Sequence, residues 1–357
     1  MRLTDQRLPL IFLEAHNIQN RNKGLGVFNF ELLKALSATN TDFRLMANMS
    51  DRSLMTHFDS PLMLFHKYYG LHRKPLFRIR KRADIWHSLN QNTKIEPYHD
   101  LNYVLTIHDV IGLNGKGELR LLEKIKRAKA ITYISKFVQQ ETHQAFEIPS
   151  GVMESVIYNG NPIGSLFDTS SYQAIEAAKS PFLYAIGDFQ ERKNFHSLIQ
   201  MMRINKDFNL IISGQNKSDY ALKIKNLIEN YSLKDRVFLT GIVSEQGKQY
   251  YMSHASAFLF PSTEEGFGLP IIEAMHFGKP VFLSTATCIP EIGGQDAYYF
   301  ENFDPERMHD KLMEGLHHFS QNEEEMEQKM KERASLFSWK KAAKEYLNVY
   351  QNVISGV

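Results

Sequence analysis

The chain has a single cysteine, Cys288, no Asp-x-Asp pair and no net charge to speak of, with 42 Lys plus Arg against 40 Asp plus Glu in 357 residues. One thiol excludes a disulfide framework within the chain and fits a reducing compartment. Cys288 follows an apolar strand and reads as an inert buried thiol before a functional one. No apolar stretch approaches the ~18 residues a membrane-crossing helix needs. The short apolar run at 8–13, preceded by Arg2 and Arg7, is too brief for a signal peptide and has no small-residue cleavage site. It ends in Glu14 and reads as a first buried strand. The expectation is a soluble, cytoplasmic protein. Internal repeats and low-complexity segments are also missing. A balance of +2 says nothing about partners, so only local clusters can.

What is present is the composition of a globular protein, 43% hydrophobic and 23% charged. The length favours two domains over one core. In the first half, apolar runs at 8–14, 43–47, 85–89, 103–107, 130–134 and 156–158 read as strands. Several end in polar pairs: His87-Ser88, His108-Asp109, Ser135-Lys136 and Asn159-Gly160. That is how a parallel sheet presents ligand groups at its carboxyl edge. From 181 onward, strands at 182–186, 210–213, 237–240, 258–260 and 281–283 alternate with helical patterns near 194–204, 218–231, 244–254 and 270–277. Ala221, Ile224, Leu227 and Ile228 make one apolar stripe. Such alternation implies a doubly wound parallel sheet in each half. The linker falls at 164–180, giving domains of 1–165 and 166–337 and a last helix at 338–357. Ser338 is a good N-cap for that helix. Its Leu347, Tyr350, Val353 and Ile354 would pack on another element, with the first domain as the candidate. Glu325 and Lys329 stand at favourable i,i+4 spacing on a solvated helix before it.

The densest stretch is 260–275, Phe-Pro-Ser-Thr-Glu-Glu-Gly-Phe-Gly-Leu-Pro-Ile-Ile-Glu-Ala-Met. Gly266 and Gly268 let backbone approach a ligand closely. Pro270 suits a first helical turn, so the amides of 268–272 should face outward at a helix N-terminus, an anion site. Glu265 and Glu273 bracket the turn. Carboxylates beside an anion site are poor phosphate ligands and better acceptors for hydroxyls. Phosphate on backbone and hydroxyls on carboxylates together suggest a sugar nucleotide.

Other clusters read less sharply. Gly24 and Gly26 open a helical pattern that includes Val27, Phe30, Leu33 and Leu36, but Asn29 stands where a dinucleotide fingerprint needs its third glycine. His108 closes the apolar run 104–107 and reads equally as a site residue or a hydrogen-bonded loop histidine. It has no second metal ligand at helical or turn spacing. Arg192 and Lys193 follow a strand end, where they read as a solvated surface pair or as neutralisers of a diphosphate. Two basic stretches, 67–82 with interleaved aromatics and 116–129, read as solvated faces or as a surface for anionic lipid head groups. No nucleic-acid motif accompanies them.

These pieces together resemble the retaining glycosyltransferase family 4. The family's Glu-x7-Glu pattern is Glu265 and Glu273, set within Pro261-Ser, the 266–270 sequence Gly-Phe-Gly-Leu-Pro, and Glu273-Ala-Met followed by Gly278-Lys-Pro. Supporting matches are Thr106-Ile-His-Asp, Ile134-Ser, Tyr158-Asn-Gly, Arg192-Lys-Asn and Phe337-Ser-Trp. The resemblance implies a GT-B fold: two Rossmann-like domains facing across a cleft, with the terminal helix returning to the first. It implies that Glu265 holds donor-sugar hydroxyls, Glu273 the ribose hydroxyls, and the amides of Phe267, Gly268 and Leu269 the sugar and phosphate. Arg192 and Lys193 would bind the diphosphate, His108 would lie beside the transferred sugar, and Gly24 and Gly26 would match the glycine-rich loop, preceded here by Asn22-Lys23. Gly214, Gly241 and Ile242, just past two strands of the second half, complete the donor set. Many members carry an arginine after the glycine where this chain has Asp188, so the division between Arg192 and Lys193 does not carry over. No cofactor and no divalent metal are expected. The implied reaction transfers a hexosyl group, from GDP-mannose or a UDP-hexose, to a glycan or lipid-linked acceptor, in polysaccharide or lipopolysaccharide assembly. His108-Asp109 and Arg192-Lys-Asn resemble bacterial mannosyltransferases in particular. The rivals are a nucleotide-sugar epimerase of the same fold and an inactive nucleotide-sugar-binding protein; a phosphorylase would need a longer chain and a cofactor lysine.

Overall fold

The computed structural model describes residues 8–21 and 23–356; Arg2, Arg7 and Asn22, singled out above, lie outside them. The chain divides into two compact units, Met1–Pro162 with Ser338–Val357, and Ile163–Phe337.

In the first unit seven strands form one parallel sheet: β1 (Leu10–Glu14), β2 (Arg44–Met49), β3 (Met63–Lys67), β4 (Ile85–Ser88), β5 (Asn102–Ile107), β6 (Ala128–Tyr133) and β7 (Met153–Val156). Their order is β3-β2-β1-β4-β5-β6-β7, so the winding reverses between β1 and β4. Helices cover the central strands on both faces, which is why β1 and β5 read as unbroken apolar runs. Phe12 and Trp86, opposite each other in the β1–β4 register, stack with ring centroids 4.3 Å apart. The sequence pattern misses β3, an edge strand that is half-exposed and ends in His66 and Lys67. It also places the last strand at 156–158, whereas β7 ends at Val156.

The terminal helix Trp339–Ser355 packs on the glycine-led helix Gly24–Thr39 of the same unit. Ser338 caps it, its hydroxyl accepting from the Lys341 amide at 3.4 Å. The buried stripe is Trp339, Ala342, Ala343, Tyr346, Val349 and Tyr350. This corrects the expected seam: Tyr350 belongs to it, Leu347 and Val353 lie on its flank, and Ile354 is exposed. Tyr350 docks through a buried polar chain. Its hydroxyl is 2.7 Å from His87 Nδ1, His87 Nε2 is 2.8 Å from Thr106 Oγ1, and Thr106 is 2.8 Å from Thr132 Oγ1. Gly160 lies so close to Trp339 that a Cβ there would fall 2.1 Å from the Trp339 nitrogen.

The second unit has six parallel strands: β8 (Phe182–Ile186), β9 (Asn209–Ser213), β10 (Val237–Gly241), β11 (Ala257–Phe260), β12 (Val281–Ser284) and β13 (Tyr298–Phe300), ordered β10-β9-β8-β11-β12-β13. The expected strands and helices of this half are present within a few residues. β13 goes unread because three residues at a sheet edge carry no periodicity. Ala221, Ile224 and Ile228 bury one face of the helix Asp219–Asn230. Gly187 and Gly214 follow the adjacent strands β8 and β9, and Gly241 ends β10. The Gly187 amide donates to Ser213 and the Gly214 amide to Gly241, at 3.0 and 2.9 Å. The carboxyl edge therefore carries a ledge of backbone without side chains.

Candidate functional site

The site of the second unit forms where two segments meet at that carboxyl edge. After β8 a single 3-10 turn, Glu191–Lys193, ends in Asn194, whose left-handed backbone (φ 53°) an asparagine tolerates. Its side-chain amide donates to the Pro261 carbonyl at 3.2 Å, while the Thr263 amide donates to the Arg192 carbonyl at 2.8 Å. These bonds hold the Arg192-Lys193 turn against the loop after β11. The Lys193 ammonium is 2.5 Å from Glu265 Oε1 and lies 5.0 Å from the Phe260 ring centre. The Arg192 guanidinium is 3.2 Å from Glu265 Oε2 and donates to the Glu264 carbonyl at 2.9 Å. Lys193 is buried, and Arg192 is the more open cation, its side chain 37% exposed. The two therefore divide the carboxylate between them. Burial would raise the Glu265 carboxyl, but Lys193 and then Arg192 outweigh it and hold it below the usual range. Taken by itself, this triad of one carboxylate and two cations carries one positive charge in excess.

The loop then makes the glycine turn. Gly268, at φ 96°, leads the helix Leu269–His276, with Pro270 in its first turn. The anion-facing donors are fewer than expected: Pro270 has no amide hydrogen, and the Ile271 amide donates to the Gly268 carbonyl at 3.0 Å. Gly268 and Leu269 remain of the outward set at the tip. The Phe267 ring is buried edge-on against Phe337, so only its backbone can face a ligand, as for the neighbouring Gly266. Cys288, unnoticed as a site element in the sequence, anchors this turn from beneath. Its sulfur lies 3.1 Å from the Glu265 carbonyl and 3.3 Å from that of Phe267. Burial first, then the nearby Glu265 charge, push the thiol well up, so it serves as a neutral donor.

Glu273 is buried one turn into the helix, and its Oε1 is 2.7 Å from the Lys248 ammonium. Gly214 and Gly241 belong to the ledge, and Ile242 beyond it is exposed. Gly214 is obligatory because a Cβ would meet the Gly187 carbonyl oxygen at 1.9 Å.

In the first unit, His108 follows β5. Its Nε2–H donates to the Leu89 carbonyl at 2.9 Å, and its amide donates to Gln91 Oε1 at 3.1 Å. The ring meets Phe28 edge-on at 4.5 Å. Burial lowers it to about 4, so the ring is neutral and keeps Nδ1 as an acceptor. The loop supporting it is held by Lys124, whose ammonium donates to the carbonyls of Gln91 and Thr93 at 2.9 and 2.8 Å. Gly24 faces open space at its helix start. Gly26 is required by the chain itself, since a Cβ would fall 2.1 Å from the Asn20 carbonyl oxygen. The other polar strand ends do structural work: His87 binds Tyr350, Ser135 caps the helix Lys136–Ala145, and Gly160 admits Trp339. Among the described residues no group of three or more His, Cys, Asp or Glu could hold a metal ion, and no helix is long and apolar enough to cross a membrane.

The chain superposes on solved GT-B structures. Sucrose-phosphate synthase from Thermosynechococcus elongatus matches with a TM-score of 0.76 at 17% identity, covering 98% of this chain and 100% of that one. Anabaena Alr3699/HepE, solved in complex with UDP and glucose, matches with a TM-score of 0.70 at 16% identity, covering 97% and 100%. Two Rossmann-like units with this connectivity define the GT-B class of fold. Residues 167–336, nearly all of the second unit, match the family of glycosyl transferases group 1. The O-antigen chain mannosyltransferase RfbU of Salmonella typhimurium is 31% identical over 207 residues, 56% of each chain. O-antigen chain mannosyltransferase B of Escherichia coli is 26% identical over 313 residues, 81% of this chain and 80% of that one. The match thus spans about half the length of RfbU, and 27% of the Escherichia coli mannosyltransferase WbdA.

Proposed function

We propose that this protein transfers a hexosyl group from a nucleotide-diphosphate sugar to a hydroxyl of a glycan or lipid-linked acceptor, with retention, in surface-polysaccharide synthesis. The observation that carries the reading is the cluster of Arg192, Lys193 and Glu265 beside the Gly268–Leu269 turn and the glycine ledge. In such a transfer the bond from the anomeric carbon to the phosphate oxygen breaks and a bond to the acceptor oxygen forms. The acceptor's proton leaves to the departing diphosphate, so no dedicated base is required. Positive charge develops on the sugar and negative charge on the diphosphate. Fixed cations and amides aimed at that diphosphate lower the barrier, each donor by ~10²–10³ in rate. Glu265 would accept from sugar hydroxyls, and Glu273 from the ribose. The second unit is thereby the donor unit and the first the acceptor unit, with His108 facing the transferred sugar. Mannose as the sugar is supported by the two O-antigen relatives, which are named mannosyltransferases, and GDP is the carrier we infer for it. We place the protein in the cytoplasm, at the inner face of the membrane, with the basic stretch 67–82 toward anionic lipid.

The test is thermal unfolding with GDP, UDP and ADP, each at near-millimolar concentration. A ligand at ~100 times its dissociation constant stabilises by about 2.7 kcal/mol. A selective shift with GDP is expected; one with UDP alone would replace mannose by a UDP-hexose, and none would overturn the site. Donor turnover that needs an acceptor separates transfer from epimerisation and from mere binding.

A further inference from the structure

We infer that Lys248 is a positioning residue for the donor's ribose, acting through Glu273. The inference rests on the donor-site reading above and deepens it. Glu273 comes from the helix that begins at the glycine turn. Lys248 comes from the neighbouring helix Glu245–His254, which starts four residues past the Gly241 end of the ledge. The Lys248 ammonium bridges them, 2.7 Å from Glu273 Oε1 and 2.9 Å from Glu245 Oε2. The Glu273 side chain is 6% exposed and that of Lys248 14%, whereas Glu245 reaches solvent.

A buried carboxylate without a cation has two alternatives, both poor for binding a diol. It takes up a proton and presents a donor where an acceptor is needed, or it turns so that neither oxygen is fixed. Lys248 supplies that cation and pins Oε1, which sets the direction in which Oε2 accepts. Burial alone would lower the Lys248 ammonium, but Glu273 and then Glu245 overcome that and raise it, so the charge persists across the physiological range. Glu245 supplies a second anchor for the ammonium itself. The pair is legible only in three dimensions, because Lys248 and Glu273 are 25 residues apart on different helices.

The alternative is an ion pair that merely packs two helices. A cycle between the side chain and the ligand tells them apart. Calorimetric titration compares wild type, Lys248→Met and Lys248→Arg with a nucleoside diphosphate and with its 2′-deoxy counterpart. Wild type is expected to bind the ribonucleotide about tenfold more tightly, the size of one hydrogen bond to a charged group. In Lys248→Met that preference should fall to within about twofold, with the deoxynucleotide affinity unchanged, and Lys248→Arg should restore part of it. Equal weakening of both nucleotides, or an unaltered preference, would overturn the inference. Should Lys248→Met fail to fold, Lys248→Gln reads the same preference. If wild type itself binds no nucleoside diphosphate, the donor-site reading fails; if it binds and discriminates while the variants do so equally well, only the role of Lys248 fails.

Discussion

At the scale of single residues, the role proposed for the cluster around Glu265 comes with a structural demand. Lys193 and Glu265 are nearly buried, so removing one partner leaves a desolvated charge. Glu265→Gln should cost about 3 kcal/mol of stability, the usual order for breaking a buried pair. Lys193→Met should cost less, because Arg192 remains on the carboxylate. The double variant should be more stable than the sum of the two losses, yet all three should lose sugar transfer. Chemical denaturation of the four proteins, with activity measured alongside, checks this; strict additivity of stability or retained turnover would contradict it. The sequence displays the participants plainly, since Glu265 and Glu273 flank the glycine turn and Arg192-Lys193 follow a strand. It does not display their pairing. Nothing in the spacing reveals that both cations close on one carboxylate, that Cys288 anchors the turn, or that Lys248 meets Glu273. Those contacts come from segments brought together only by the order of the strands.

At the scale of elements, polar residues at strand ends pointed to ligands, and the structure separates them into two kinds. His108 and the Arg192-Lys193 turn stand at carboxyl edges, whereas His87 and Gly160 seat the terminal helix. A parallel sheet puts ligand groups and helix-docking groups at the same kind of position, so a one-dimensional reading cannot sort them. The misassigned seam of the terminal helix has a similar cause. Leu347, Val353 and Ile354 are the obvious apolar residues, but the helix buries aromatic and small side chains instead, using the Tyr346 and Tyr350 hydroxyls as well as their rings. Gly160→Ala tests that seating. Its Cβ would collide with backbone as well as indole, so the expected result is a fall in the unfolding midpoint of several degrees, about 2–3 kcal/mol for overpacking. An unchanged midpoint would mean that the helix end shifts at no cost.

At the scale of the whole molecule, near-zero net charge conceals a strongly one-sided segment. Between residues 68 and 83 there is no acidic side chain, while Arg73, Lys74, Arg78, Arg80, Lys81 and Arg82 stand among Tyr69, Leu71, Leu76 and Phe77. All four of these apolar residues are exposed, Leu76 by 89%. The second basic stretch is less free than its composition suggests: Lys124 is buried on carbonyls, and Arg127 pairs with Glu96 over the Tyr103 ring. Vesicles rich in anionic lipid should therefore bind the protein in low salt and release it in high salt. Leu76→Ser combined with Phe77→Ser should weaken that binding, and no binding in low salt would refute it.

The division of the chain also bears on synthesis. The first unit is built from two separated pieces, with the entire second unit encoded between them. Chains emerge from the ribosome amino end first, and domains generally fold in that order. Here the second unit has all its residues before the first has its last helix, so on the ribosome it can be complete first. Until Tyr346 and Tyr350 arrive, the apolar face of the helix Gly24–Thr39 and the buried Nδ1 of His87 wait without the partners that helix brings. A chain interrupted shortly before Ser338 would thus carry one finished domain and one open one.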